Sequence, residues 1–221
     1  MEVIYSQGVV ETRRPAENPT DALTSRSTRT RAALVEATLI RLRTDGSFTA
    51  EQVAADAGVS VATIYNRFPD GRDGLLAAAF DRALDRVVAA STGPLTAEYL
   101  LDHGLAATMR ALVDGLAEAF ADEALVMRAA LARLPESRVL REAYRRHEST
   151  ARDANRRFIG LGQAAGLIGP GDPDELADLL VVFGQGINNP VLLGASDRGR
   201  LRARLAAAMV AALSPDPHGS P

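Results

Sequence analysis

Hydroxyl, phenol and guanidinium groups recur at short intervals between positions 49 and 72, among small apolar residues: Thr49, Ser60, Thr63, Tyr65, Arg67 and Arg72. All can donate hydrogen bonds to phosphate oxygens, and the arginines add charge. Thr49, Tyr65 and Arg67 are the expected phosphate contacts, with Arg72 in support. A helix start that carries a hydroxyl, as at Thr49 and Ser60, also points free backbone N–H groups at an anion. Val61, Ala62 and Thr63 form a complementary set: the methyl groups of the first two fit thymine methyls, and a threonine hydroxyl reaches a base edge or a phosphate. Phosphate contacts position a protein on nucleic acid, and base contacts specify the site. Few of these side chains can make a bidentate base contact, so direct readout is modest and DNA shape assists it. The chemistry on offer is binding to double-stranded DNA.

Such a set works only if the backbone holds it on one surface. Residues 49–68 read as two short helices joined by a tight turn. Thr49 opens the first by accepting from the next turn, and Glu51 and Gln52 suit the positive helix end. Val53, Ala54 and Ala57 give that helix a buried stripe. Gly58 supplies the positive φ that ends it, and Val59 plugs the corner. Ser60 caps a second helix, from Val61 to about Phe68. Its Ile64 and Phe68 point inward, while Val61, Ala62, Thr63, Tyr65 and Arg67 point outward. Small residue, glycine, apolar plug and cap is the order a helix-turn-helix needs, because its two helices cross closely.

The string Ala57-Gly58-Val59-Ser60-x-x-Thr63-Ile64-Tyr65-x-x-Phe68, followed by Leu75-Leu76, closely resembles the N-terminal DNA-binding domain of TetR-family transcriptional regulators. The specific match covers residues 29–90. The resemblance implies a dimeric, ligand-responsive repressor with a three-helix DNA-binding head and a divergent helical sensor domain. Two details depart from the family pattern. The link Gly46-Ser47-Phe48 is short, and Arg72 lies four positions after Phe68 where the family places its basic residue three positions on. A one-residue insertion accounts for the second difference.

At 221 residues the chain allows one or two domains with a substantial core. It has no cysteine, which excludes a disulfide framework, a thiolate metal site and a cysteine nucleophile, and fits a reducing compartment. No run approaches about eighteen apolar residues, and the first residues lack a basic region followed by an apolar stretch. Neither a membrane partner nor secretion is expected, and the expected location is the cytoplasm. The net charge is −3, yet residues 22–72 carry seven arginines against five acids, so a mildly basic head sits on an acidic body. All 25 basic residues are arginine, which reflects the codon bias of a GC-rich genome. His103 and His147 have no partner at metal-ligand spacing, and His218 lies near the end. No nucleophile–base pair and no phosphate-cradling glycine loop appears, so neither a cofactor nor an enzymatic activity is expected.

The chain divides into a flexible arm (1–25), a helix-turn-helix domain (26–72), a helical ligand-binding and dimerisation domain (73–213) and a tail (214–221). The arm is either a tail of no consequence or, through Arg26, Arg29 and Arg31 at its junction with the first helix, a contact to phosphates or the minor groove. Apolar spacing predicts helices over 28–44, 72–90, 96–120, 122–134, 137–167, 174–193 and 197–213, with no strand pattern. The fold class is all-α. Arg152, Arg156 and Arg157 read as a solvated face paired with Glu142, Glu148 and Asp153.

In the second domain Met109, Leu112, Leu116, Phe120, Met127, Tyr144, His147, Phe158 and Phe183 could line an apolar cavity with a few polar handles. A packed core is the alternative for each. Gly184 and Gly186 weaken a helix by ~1 kcal/mol each relative to alanine, so they need a reason. Close helix approach in a homodimer seam with Leu201, Leu205 and Met209 is one, and room for a ligand is the other. The reading is a dimeric repressor released from its operator by a small hydrophobic molecule. The alternatives are an activator, and a ligand-independent DNA-binding or protein-assembly factor.

Overall fold

The computed structural model describes residues 19–194 and 198–215. Among them are ten helices and no strand: α1 (Pro19–Asp45), α2 (Ala50–Asp56), α3 (Val61–Arg67), α4 (Gly71–Thr92), α5 (Ala97–Asp122), α6 (Ala124–Arg133), α7 (Arg138–Ala164), α8 (Pro173–Ile187), α9 (Pro190–Gly194) and α10 (Arg198–Leu213). Most of the expected arm and tail, and His218, lie outside the described residues. Residues 19–25 do not, and there the structure corrects the sequence reading: α1 starts at Pro19, well before position 28. Proline suits the first helical position, whose N–H would be unpaired anyway. No apolar stripe precedes Leu34, so hydrophobic period could not reveal this extension. Polar contacts from α3 meet α1 just after it, at Ser27 and Arg31. Arg67 donates Nη1 to Ser27 Oγ at 2.6 Å, and Arg31 donates Nη1 to the Arg67 carbonyl at 2.9 Å. The Arg31 guanidinium also lies 4.1 Å over the Phe68 ring.

The long α4 runs through both halves of the molecule. Its face Leu75, Leu76, Ala79, Phe80, Ala83, Leu84 and Val87 is buried against α1, α5, α6 and α7. Each such leucine or phenylalanine contributes ~1.5–3 kcal/mol of burial. At the head end Leu34, Leu39, Leu42, Val53, Ile64 and Phe68 close a small core around it.

Two expected helices are interrupted. Gly104 sits inside α5 at φ 76° and ψ 168°, a conformation that glycine alone adopts without strain. Before this kink Leu101, expected inside, is 65% exposed, whereas Met109, Leu112, Leu116 and Phe120 after it are buried. The expected helix 174–193 stops at Ile187, and Pro190, which lacks an N–H, restarts the chain as the short α9.

Two ionic contacts decide how the parts are joined. Within the head, Arg41 on α1 grips Asp56 at the end of α2 with both Nε (2.6 Å) and Nη2 (2.9 Å). The Asp56 carboxyl is held below its ordinary value, chiefly by this hydrogen bond, and the Arg41 guanidinium is raised in return. Between head and body lies Glu123, at the corner of α5 and α6 and 1% exposed. Arg43 of α1 meets its two oxygens at 3.1 and 2.7 Å, and Arg86 of α4 reaches Oε1 at 2.6 Å. At the far end of α6, Arg133 meets Asp73 of α4 at 3.2 Å.

A buried carboxylate is costly without its partners, whereas the arginines can turn to water. The double variant R43Q/R86Q is therefore expected to lose ~3–5 kcal/mol and Glu123→Gln only ~1–2 kcal/mol; denaturant titration reads both, and the reverse order would refute this account. Asp56→Asn is expected to lower stability at neutral pH. Because the folded carboxyl is the stronger acid, the difference from the parent is full above about pH 4 and vanishes as pH falls through the depressed value, which acid titration of both proteins checks.

Candidate nucleic-acid interface and ligand cavity

The turn between α2 and α3 is built by local rules. Thr49 caps α2 reciprocally: its hydroxyl accepts from Gln52 N–H at 3.2 Å while its own N–H donates to Gln52 Oε1 at 2.9 Å. Gly58, at φ 66°, lets Val59 N–H return to the Ala54 carbonyl at 2.9 Å and close the helix end. Ser60 then caps α3 by accepting from Thr63 N–H at 3.3 Å.

The expected DNA-facing residues share one neighbourhood but differ in what they leave free. Ala62, Tyr65, Thr49 and Ser60 are exposed. The Tyr65 ring lies against Gly71 at the start of α4, and its hydroxyl has no partner among the described residues. Val61, expected to point outward, is half-buried and packs on the head core. Thr63 is half-buried too, its hydroxyl 3.0 Å from that of Ser60, so the cap shares it with any DNA role. Arg67 is exposed but engaged with Ser27. Arg72 turns back toward the 46–48 link, 5.0 Å from the centre of the Phe48 ring and with Nε 3.4 Å from the Phe48 carbonyl. The longer corner Pro69-Asp70-Gly71 places it there. Of the junction arginines, Arg31 is committed to Arg67 and Phe68, while Arg26 and Arg29 are exposed.

Behind the head, α4, α5, α6, α7 and α8 frame a half-open cavity of about 270 Å³. That lies just under the span of ~300–1,000 Å³ usual for small-molecule sites. Leu112, Leu116, Phe120, Met127, Tyr144 and His147 line it as the sequence suggested. Met109 and Phe158 do not: they are 0% and 1% exposed in the packed core. Phe183 packs half-buried against that core, while the next residue, Gly184, faces the cavity. The sequence reading missed Leu84, Val87, Val88 and Ser91 of α4, whose spacing looks like ordinary core, and the polar wall of Glu148, Asn155, Gln185 and Asn188. Only the pairing of α7 with α8 brings those four together. Tyr144 stacks on Phe80, and burial, then the nearby Glu148, push its phenol up. His147 closes the α4 side, 2.9 Å from the Ala143 carbonyl and 3.0 Å from Asp85.

The seam residues separate as well. Met209 is 0% exposed inside the protomer, because α10 packs this side chain onto α5 and its neighbours, so it cannot form an intersubunit seam. Leu205 is half-buried on the core. Gly186 is open, and Leu201 is 37% exposed. Val182 and Val191, not foreseen, are 64% and 69% exposed. Arg152 and Arg156 pair with Asp178 and Asp174 on α8 and not with acids of their own helix. His103 is exposed and packs on Tyr99. Among the described residues no cluster could hold a metal ion, and no helix is long and apolar enough to cross a membrane.

No protein-family model and no curated protein matches the chain. Solved structures do. A TetR transcription regulator from Haloarcula marismortui superposes with a TM-score of 0.67 at 20% identity, over 84% of this chain and 98% of that one. A second, from Mesorhizobium loti and assigned to the TetR family, gives 0.67 at 22% identity, over 85% and 96%. A SmeT–triclosan complex gives 0.60 at 22% identity, over 87% and 95%. Over 84–85% of its length the chain has the fold of the TetR-family transcriptional regulators.

Proposed function

We propose that the protein is a DNA-binding transcriptional regulator that acts as a homodimer and is released from its operator by a small, largely apolar molecule. The observation that carries the reading is the placement of α4. About 33 Å long at 22 residues, it supports the helix-turn-helix at its first turn and walls the cavity with Leu84, Val87, Val88 and Ser91 near its end. A molecule that enters the cavity presses on the helix that carries the head. The resemblance of residues 29–90 to TetR-family heads supports the DNA partner. A structural neighbour in complex with triclosan supports a small-molecule occupant.

Two heads would read successive major grooves ~34–36 Å apart, so the operator is a pseudo-palindrome. A ligand favouring the released arrangement by ~1.4–3 kcal/mol would weaken DNA binding about 10- to 150-fold. For the seam, the exposed apolar side chains of α8, α9 and α10 (Val182, Val191 and Leu201, beside the open Gly186) supply the surface that a second copy would cover. Phosphate contact falls to Thr49, Ser60, Tyr65 and Arg67, and base contact to the exposed start of α3 at Ala62, with Val61 and Thr63 beside it. Repression is the reading taken over from the family.

A footprint on the DNA flanking the protein's own gene tests the first part. A protected two-fold site is expected, weakened about five- to tenfold in Tyr65→Phe through loss of one phosphate hydrogen bond, and more than about tenfold in Ala62→Glu through repulsion of the backbone. Unchanged melting must accompany both, and an unaffected footprint would refute the assigned face. For the dimer, Val182→Arg combined with Leu201→Arg is expected to yield monomers in sedimentation, where the parent sediments as a dimer; a parent that is monomeric at micromolar concentration removes the seam.

A further inference from the structure

The polar wall of the cavity can be balanced group by group. Asn155, 6% exposed, places Nδ2 3.4 Å from the Ala177 carbonyl. A carbonyl only accepts, so the amide nitrogen must face it, and Oδ1 is left without a partner among the described residues. Gln185 donates Nε2 to Glu148 Oε1 at 3.2 Å, which leaves its own oxygen in the same position. Both ring nitrogens of His147 are taken, by Ala143 and Asp85. The Ser91 hydroxyl is spent on the Val88 carbonyl at 2.8 Å. Glu148 has no cationic partner among the described residues, and no arginine lines the cavity. The Tyr144 hydroxyl and the Asn188 amide, also on the lining, have no side-chain partner among the described residues and can donate as well as accept, so what distinguishes the wall is the carboxylate of Glu148.

Tyr144, Glu148, Ala151 and Asn155 recur at four- and three-residue spacing and so form one stripe of α7. Across the space stand Leu112, Leu116, Phe120 and Met127. Resting on the reading of this cavity as the ligand site, we propose that its ligand is a small amphipathic amine, protonated at neutral pH. The ammonium group donates to Glu148 and the Gln185 oxygen, and the apolar body lies among the four hydrophobic side chains. Asn155 Oδ1, about 10 Å further along the stripe, offers a further acceptor to any donor on the body. Carboxylates meet the like charge of Glu148 and are disfavoured beside it.

Titration calorimetry at pH 7 and low salt with octylamine, 1-octanol and octanoate, matched in chain length, tests this. Octylamine is expected to bind about three- to tenfold tighter than 1-octanol, because the mouth is partly exposed and the charge is screened. Octanoate is expected to bind more than about tenfold weaker than the alcohol. Glu148→Gln should bring the amine to within about twofold of the alcohol and leave the alcohol unchanged. Glu98→Gln, an exposed carboxylate on α5 outside the cavity lining, should preserve the order. Octanoate binding as well as octylamine, or an amine preference that survives Glu148→Gln, overturns the ligand class. Equal binding of amine and alcohol to the parent overturns the class while leaving the cavity reading intact. Absence of binding by all three overturns both.

Discussion

The carboxylate of Glu123 is the constraint around which the molecule is arranged. A buried charge must be met by partners with good geometry, or the fold loses several kcal/mol. Here the partners come from different parts of the chain: Arg43 from the first helix of the head, and Arg86 from the helix that head and body share. Satisfying one side chain therefore fixes three elements at once. Because Glu123 lies three residues after Phe120 and four before Met127, both of which line the cavity, the same corner is also part of the cavity's frame.

Around that corner the two halves follow different physics. The head is small and relies on specific polar fastenings: the Thr49 cap, the Arg41–Asp56 fork, and the contacts of Arg31 and Arg67 that tie α1 to α3. The body relies on apolar burial along α4, α5 and α7, interrupted where the helices do not close on one another. That incomplete closure is the cavity, and Gly104, which kinks α5 between the exposed Leu101 and the buried stripe, shows how strongly the packing there departs from an ideal bundle.

What the sequence made legible was whatever local rules determine. Thr49, Gly58, Ser60, Ile64 and Phe68 could be placed because caps, a left-handed turn and a helical period act over three to six residues. Long-range matters were not legible. Leu112, Leu116 and Phe120 share a period with Met109, yet only the approach of neighbouring helices decides which borders empty space and which is filled over. Met209 reads as a seam residue until α10 is seen to turn it inward. Glu123 follows Asp122 and looks like one more surface acid at a helix end, since nothing nearby announces that two arginines 80 and 37 residues away converge on it. The early start of α1 was hidden for another reason: it precedes any apolar stripe, and the contact nearest to it, Arg67 to Ser27, is polar and comes from 40 residues on.

The division of the cavity wall has a consequence for how such a protein can diverge. Leu84, Val87, Val88 and Ser91 belong to the helix that carries the head, whereas Glu148 and Asn155 belong to α7, Gln185 to α8 and Asn188 to the residue that ends α8. Substitutions on the second wall can retune chemical preference one residue at a time while the DNA-facing surface stays as it was. Substitutions on the first alter both at once. Inherited change in what the protein senses should therefore accumulate on the far side of the cavity, and the near side should stay the slow-moving part of the lineage.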